Sequence, residues 1–472
     1  MTTVWDQVAA QAARAPHATA AVGERSYTYR GLLEHAEALA ATLREAAPGG
    51  SLVALETTSP VSGAIAVLAG ARAGRALVPM NPDSPPGHRD RILADARPAA
   101  VLRSAQEAVF TVGSPAGAGA PDAGGIDLHR AAYVMFTSGS TGRPKGVVVG
   151  HEALAARIRA LANVPGMGEG ESVLAMTALS FDISLAELLV PLTVGARFVA
   201  VPGEVRADPD LFEEFVERHR PDVIQATPSF WRLLLAAGER SAGHAARVWC
   251  GGEALTPALA TALLARHKEL WNLYGPTEAT IWAGAARVDD PAAVSLGEPL
   301  PGSGWFLDDG EIVLHGEGLA EGYLGQEDVT AERFPVLDTP AGRARTYRTG
   351  DRGRTAPGGA LEYLGRVDWQ VKLRGHRIEL GEVESVLEEH PAVSEAVAVV
   401  QHADRPERAF IAAHVVPAAE VTAPELAAWI RGRLPAPYCP GRIHLVPALP
   451  RNTSGKVDRT ALAGGATGGG AP

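Results

Sequence analysis

Short apolar segments alternate with amphipathic helical segments through most of the chain, and this rhythm limits the folds open to it. Residues 51–56 and 76–80 read as strands, with a helix over 61–73 between them. Over residues 31–45, Leu32, Leu33, Ala36, Leu39, Ala40 and Leu43 share one helical face. Further strands are expected at 132–136, 173–176, 197–201, 223–226, 247–250 and 270–273, with helical stretches between most of them. A strand followed by a helix and another strand builds parallel sheets covered by helices, so the expected class is α/β. Near residue 366 the pattern changes. A helix is expected at 382–389, strands at 396–401 and 410–416, and a helix at 424–434, which is a compact α+β pattern. The expected division is therefore 1–366, a large domain of helix-covered mixed or parallel sheets, and 367–472, a small mobile α+β lid, with the junction near Asp368. Residues 113–125, GSPAGAGAPDAGG, read as a flexible surface loop.

A chain of 472 residues is long enough for two or three domains. Its net charge of −11 disfavours a general nucleic-acid binder. No run of about eighteen apolar residues suggests a membrane span, and residues 1–16 lack a basic region followed by an apolar core. The two cysteines, Cys250 and Cys439, form no CxxC pair, which argues against a zinc site or a disulfide framework. The expectation is a cytoplasmic enzyme without nucleic-acid or membrane partners.

One segment carries chemistry on its face. Residues 133–147 read YVMFTSGSTGRPKGV, an apolar strand running into a Thr/Ser/Gly loop that reaches Lys145. Glycines let backbone N–H groups approach phosphate oxygens, hydroxyls add donors, and the lysine adds positive charge. The GxxxxGK[ST] spacing of a P-loop is absent.

The eight residues from Thr137 to Pro144 match the signature of the adenylate-forming superfamily, which includes acyl-CoA synthetases, luciferases and the adenylation domains of nonribosomal peptide synthetases. The chain most resembles the last group, over nearly its whole length. AGRALVPMNP (73–82), NLYGPTE (272–278), residues 316–324, YRTGD (347–351), GRVDWQVKLRGHRIE (365–379) and NTSGKVDR (452–459) follow in the family's order. Between Leu296 and Ile312 the chain is shorter than is usual in the family, as if part of a hairpin were missing.

The resemblance implies roles residue by residue. Thr137, Ser138, Ser140, Thr141 and Lys145 would hold the β- and γ-phosphates of ATP, and Gly251 is counted with the nucleotide site. Asn272 would bond the adenine amino edge, Tyr274 would stack on the ring, and Asp351, with Arg366 beside it, would accept from the ribose hydroxyls. Thr277 would bind the α-phosphate and Glu278 would hold Mg²⁺. Lys456 would bridge the substrate carboxylate and the α-phosphate. Asp368 would be the hinge of the lid, and Gly375 would lie on the face that admits the acceptor thiol.

Asp182, in FDIS, is by local pattern a helix cap. By resemblance it pairs instead with the α-ammonium of an amino acid. The remaining pocket, matched by motif offsets, is Ile183, Ala186, Gln225, Val248, Cys250, Leu273, Ile281 and Trp282, a mainly apolar set similar to glycine-selecting pockets. Ala186 is smaller than the family's usual residue and Cys250 larger. Cys250 reads as a small buried hydrophobe, and His151 as a helix-start residue.

The implied function is ATP-dependent activation of a small amino acid as its aminoacyl-adenylate, with pyrophosphate released, followed by thioester loading of a phosphopantetheinyl carrier protein. No carrier motif precedes the final GGATGGGAP, so a separate carrier is expected. Whether a small MbtH-like activator takes part stays open. The other readings are an acyl- or aryl-CoA ligase of the same fold, against which Asp182 argues, and a catalytically silent partner subunit.

Overall fold

The computed structural model describes residues 2–115, 121–137, 144–238, 246–356, 359–367, 370–403, 405, 407–451 and 457–463. They fall into two compact units. One comprises 1–82, 93–136 and 146–367; the other comprises 83–92, 137–145 and 368–472.

The first unit is built from strand–helix–strand repeats whose boundaries follow from local chemistry. Strand Leu52–Thr57 is buried along its length. Ser59 then accepts from the Ser62 N–H, and proline sits at the first helical position, so helix Pro60–Ala73 starts there. It stops at Gly74, whose φ of 68° lies in the left-handed region. Strand Ala76–Met80 follows, parallel to Leu52–Thr57.

Repetition of this unit gives two sheets with helices against them. A seven-stranded sheet runs in the order Gly322–Tyr323, Lys145–Gly150, Ala131–Thr137, Ala76–Met80, Leu52–Thr57, Ala100–Gln106, Val109–Gly113. A nine-stranded sheet runs Glu298–Pro299, Gly284–Arg287, Glu269–Tyr274, Arg247–Gly251, Val223–Ala226, Ser172–Ala175, Arg197–Ala200, Thr19–Val22, Ser26–Thr28. Its central strands are parallel, and Glu269–Tyr274 turns back on Gly284–Arg287 antiparallel. A third, antiparallel sheet contains Ser303–Asp308, Glu311–Gly316 and Gly342–Thr355. Its first hairpin closes through Asp309 and Gly310, both at positive φ, a two-residue turn that suits the shortened 296–312 segment. The α/β class and the helix-covered mixed and parallel sheets expected from the alternation are both present. Several strands were not expected, among them Thr19–Val22, Ala100–Gln106, Lys145–Gly150 and Val109–Gly113, the last of which pairs with Ala100–Gln106 and reaches only the first residue of the stretch read as loop.

The second unit holds the hairpin Gln370–Leu373/His376–Glu379, helices Leu380–Glu388 and Ala423–Arg431, and a three-stranded sheet of Val393–Gln401, Phe410–Pro417 and Arg442–Leu445. Its core is Ile378, Val383, Leu387, Ile411, Val415, Leu426 and Ile430. The second helix opens on a Thr422–Glu425 capping box and ends at Arg431, before Gly432, three residues short of the expected end. Among the described residues no helix is long and apolar enough to cross a membrane.

Glu382 on helix Leu380–Glu388 is 1% exposed, and neither of its carboxylate oxygens has a hydrogen-bond partner among the described residues. Burial pushes its pKa up to about 8, so the folded chain holds it neutral at pH 7. In the unfolded chain it ionises near about 4.3. Its neutral form is therefore compatible with the fold at low pH, and stability drains away as pH rises from the unfolded value through the folded one, by at most about 1.4 kcal/mol per pH unit. Glu382→Gln should melt close to wild type near pH 5 and above it at pH 8.5. Parallel loss of stability in both proteins over that range would show that Glu382 does not carry the effect.

Candidate active site

The connection from strand Glu269–Tyr274 to strand Gly284–Arg287 brings the nucleotide-binding and substrate-binding residues into one short stretch. A side chain at Gly275 would place its Cβ 2.7 Å from Ala283 N and from Trp282 Cα, so only glycine permits this fold-back. Thr277–Ala279 forms one 3₁₀ turn. Thr280 and Ile281 follow at φ of 58° and 68°. Two β-branched residues in the left-handed region cost about 1–3 kcal/mol each and persist only where packing fixes them.

On this scaffold Glu278 is 1% exposed, and its Oε1 accepts from the Tyr323 hydroxyl at 2.9 Å. Among the described residues no group of three or more His, Cys, Asp or Glu side chains is placed to hold a metal. A single fixed carboxylate nevertheless fits Mg²⁺, which characteristically takes one or two carboxylates and completes its shell with phosphate oxygens and water.

Tyr274 and Asp351 come together: the Tyr274 hydroxyl donates to Asp351 Oδ2 at 2.6 Å, and Arg366 Nη1 donates to Asp351 Oδ1 at 2.5 Å. Asp351 is buried and Arg366 partly so. Burial, then the Asp351 charge, holds the Tyr274 phenol well above its usual pKa, so it remains a donor. Asn272 is buried on the same strand as Tyr274, and its amide donates to Ser295 O at 2.7 Å.

Asp182 sits at the N-cap position of helix Ile183–Val194, but its side chain makes no capping bond. Its Oδ2 accepts instead from the Ile281 N–H at 3.3 Å. It is 7% exposed, and burial pushes its pKa up to about 6 against the opposing pull of the Thr277 hydroxyl and the Ile281 N–H. The cap reading of the sequence is thus set aside by geometry.

The substrate pocket needs one correction. In strand Arg247–Gly251 the register places Trp249 beside Gln225 and Gly251 beside Leu273. Successive strand residues point to opposite faces. Trp249 packs in the core cluster that holds Ala186, Leu273, Ile281 and Trp282, whereas Val248 and Cys250 pack in a second cluster with Ile224, Ala226 and Leu255. Val248 and Cys250 therefore face away from the pocket. A one-residue offset in matching the motif turned the strand over, as a slip of one position always does. Cys250 is a buried hydrophobe whose thiol burial pushes up. Gly251 joins the pocket instead of standing only beside the nucleotide: a Cβ there would lie 2.7 Å from Trp282 Cη2 and 2.5 Å from Leu273 O.

Sequence reasoning also missed Glu187. It is 1% exposed and accepts from Gln225 Nε2 at 3.0 Å. Burial raises its pKa to about 7, against four hydrogen bonds that favour the charged form. The only signal was an acid on an otherwise apolar helix, ISLAELLVPLTV.

In the second unit, Thr137 Oγ1 donates to Lys145 O at 3.5 Å, and Lys145 is buried at the head of its strand. Gly375, at φ 82°, and Arg374, at φ 52°, form the turn of the hairpin from Gln370 to Glu379. Ser138, Ser140, Thr141, Asp368 and Lys456 lie outside the described residues.

The AMP-binding enzyme family matches residues 8–324, and the AMP-binding enzyme C-terminal domain matches 382–456. A dimodular nonribosomal peptide synthase of Bacillus subtilis is 34% identical over 92% of this chain and 20% of its own length. An isonitrile lipopeptide synthase of Streptomyces coeruleorubidus is 36% identical over 93% of this chain and 32% of its own. The chain thus spans a third or less of either relative. A solved four-domain nonribosomal peptide synthetase bound to AMP and glycine is 32% identical, with a TM-score of 0.70, over 98% of this chain and 36% of that one. The chain belongs to the AMP-binding enzyme family, as an adenylation domain of the nonribosomal peptide synthetase type within the adenylate-forming superfamily. It is an adenylate-forming, ATP-using ligase.

The Asp351 cluster makes a prediction of relative cost. Arg366→Ala leaves a buried carboxylate without its cation and should destabilise the chain by about 3–5 kcal/mol. Tyr274→Phe removes one neutral donor and should cost about 1–3 kcal/mol. Urea unfolding of both variants checks this order, and a larger loss from Tyr274→Phe would contradict it.

Proposed function

We propose that the chain activates a small α-amino acid, with glycine the leading substrate. The carrying observation is Asp182: a carboxylate buried in an apolar pocket and met, among the described residues, by neutral donors alone, the Thr277 hydroxyl and the Ile281 and Ile183 N–H groups. Such a group is matched by a substrate cation. The two indoles of Trp249 and Trp282, on the face that also carries Gly251, favour a substrate with little or no side chain. The solved relative that holds AMP and glycine supports the same reading.

In the reaction, a carboxylate oxygen of the amino acid attacks the α-phosphorus of ATP. The bond to the pyrophosphate oxygen breaks, and pyrophosphate leaves with its electron pair. Asp182 holds the ammonium and so aims the carboxylate. Thr277 would donate to the α-phosphate. The cluster of Tyr274, Asp351 and Arg366 would hold the nucleoside, and Thr137 and Lys145, with Ser138, Ser140 and Thr141, would hold its phosphates. Mg²⁺, held by Glu278 together with the nucleotide, would neutralise charge on the leaving phosphates. Lys456 would bridge carboxylate and α-phosphate, and the lid would pivot at Asp368 before a carrier-protein thiol, entering past Gly375, displaces AMP.

ATP–pyrophosphate exchange tests the reading directly. Exchange should be strongest with glycine or a close neighbour, and clear preference for a benzoate or a fatty acid would sink the proposal. Its pH dependence adds a second check. Asp182 must be ionised to hold the ammonium, so kcat/KM for the amino acid should rise as pH climbs through about 6. Asp182→Asn should lose that limb together with most of the activity. An unchanged acid limb in the variant would assign it to another group.

Lys456→Ala should lower kcat by about 10²–10³-fold, the usual effect of removing a preorganised transition-state donor. Calorimetric affinity for ATP should change little. Loss of ATP binding with the chemistry intact would contradict the role.

A further inference from the structure

Glu187 stands one helical turn beyond Ile183 and has no role in the reaction described so far. Its Oε2 accepts from the backbone N–H groups of Met176 and Thr177 at 2.8 and 2.9 Å. Its Oε1 accepts from the Thr177 hydroxyl at 2.5 Å and from Gln225 Nε2 at 3.0 Å. Gln225 Nε2 also donates to Ile183 O at 2.8 Å, and Gln225 Oε1 accepts from Trp282 Nε1 at 3.0 Å.

The orientation of the Gln225 amide is forced at both ends. An indole N–H can only donate, so the carbonyl must face Trp282. A backbone carbonyl can only accept, so the NH₂ group must face Ile183 O, and with it Glu187. Both amide hydrogens are spent inside the protein. Gln225 therefore has no hydrogen left to donate to a substrate side chain, although it is the polar member of the pocket.

We infer that Glu187 is a positioning residue: through Gln225 it locks the Trp282 indole across the pocket, and this lock excludes any substrate side chain. The inference rests on the proposed amino-acid pocket and deepens it, because selectivity then comes from a braced wall and not from a polar contact to the substrate. The same indole presses on Gly251, where even a Cβ would collide with it.

Replacing one atom should release the lock. In Glu187→Gln, the new carbonyl must face the two backbone N–H groups, so the new NH₂ group faces Gln225. The Gln225 amide then turns over to accept from it. Its own NH₂ is brought against the Trp282 N–H, donor against donor, and its carbonyl against Ile183 O. The double variant E187Q/Q225E returns an acceptor oxygen to Trp282 while its other oxygen still accepts from the new amide at position 187.

The experiment is pyrophosphate exchange with glycine, alanine and 2-aminobutyrate on the full chain. For Glu187→Gln the ratio of kcat/KM for alanine over glycine should rise about tenfold or more, the worth of one carbon in a tight apolar pocket. The kcat for glycine should hold, because its ammonium and carboxylate are gripped elsewhere. E187Q/Q225E should bring the ratio back towards wild type. Should Glu187→Gln fail to fold, Gln225→Leu also strips Trp282 of its acceptor and should shift the ratio the same way. Equal losses for all three amino acids, with the ratio unmoved and no recovery in the double variant, would reduce Glu187 to a structural acid and overturn the inference. A wild-type chain that exchanges with no amino acid would instead overturn the functional reading beneath it.

Discussion

The strained return from strand Glu269–Tyr274 to strand Gly284–Arg287 is the constraint on which the site depends. Gly275 allows the chain to fold back at contact distance, and Thr280 and Ile281 are held in the left-handed region. That conformation aims the Ile281 N–H at Asp182. It also places Glu278 against Tyr323, and Trp282 against Gln225 and Gly251. An unstrained connection would separate these groups. The strain of a few kcal/mol is offset by the packing of Ile281 and Trp282 into the main core.

Four buried acids stand around this return; apart from Glu278, proposed above to hold Mg²⁺, they differ in what meets them. Asp351 has a guanidinium and a phenol, so its charge is already balanced. Glu187 has four neutral donors that saturate both oxygens, so it braces the pocket. Asp182 is met by the Thr277 hydroxyl and the Ile281 and Ile183 N–H groups, and by no cation among the described residues, and burial raises its pKa. A unit charge about 4 Å away is worth about 4 kcal/mol at the effective dielectric of such sites, more than another neutral hydrogen bond would add. Of these three, Asp182, met by no cation and by fewer neutral donors than Glu187, is therefore the one suited to a cationic substrate group.

Much of this was legible in the sequence, for physical reasons that differ by residue. The α/β class followed from periodicity, since strands such as Leu52–Thr57 and Ala76–Met80 are buried runs ended by glycine or polar turns. The Tyr274, Asp351 and Glu278 positions followed from contiguous motifs. Val248 and Cys250 were misplaced because an offset count within an apolar strand carries no parity: Val248, Trp249 and Cys250 are all apolar, and only the register with Gln225 shows which side faces the substrate. Gly251 was counted with the nucleotide site, yet its lack of a Cβ serves Trp282. Glu187 was overlooked because its partner Gln225 lies 38 residues away, a separation at which no local pattern speaks.

The central claim is that Asp182 recognises the substrate ammonium. It is tested most directly by comparing pyrophosphate exchange with glycine and with acetate, which differ by the ammonium group, in wild type and in Asp182→Asn. The account predicts that wild type strongly prefers glycine and that the variant loses that preference by about a hundredfold or more, the scale of a broken buried ion pair. A glycine-to-acetate ratio that survives the substitution unchanged would contradict it.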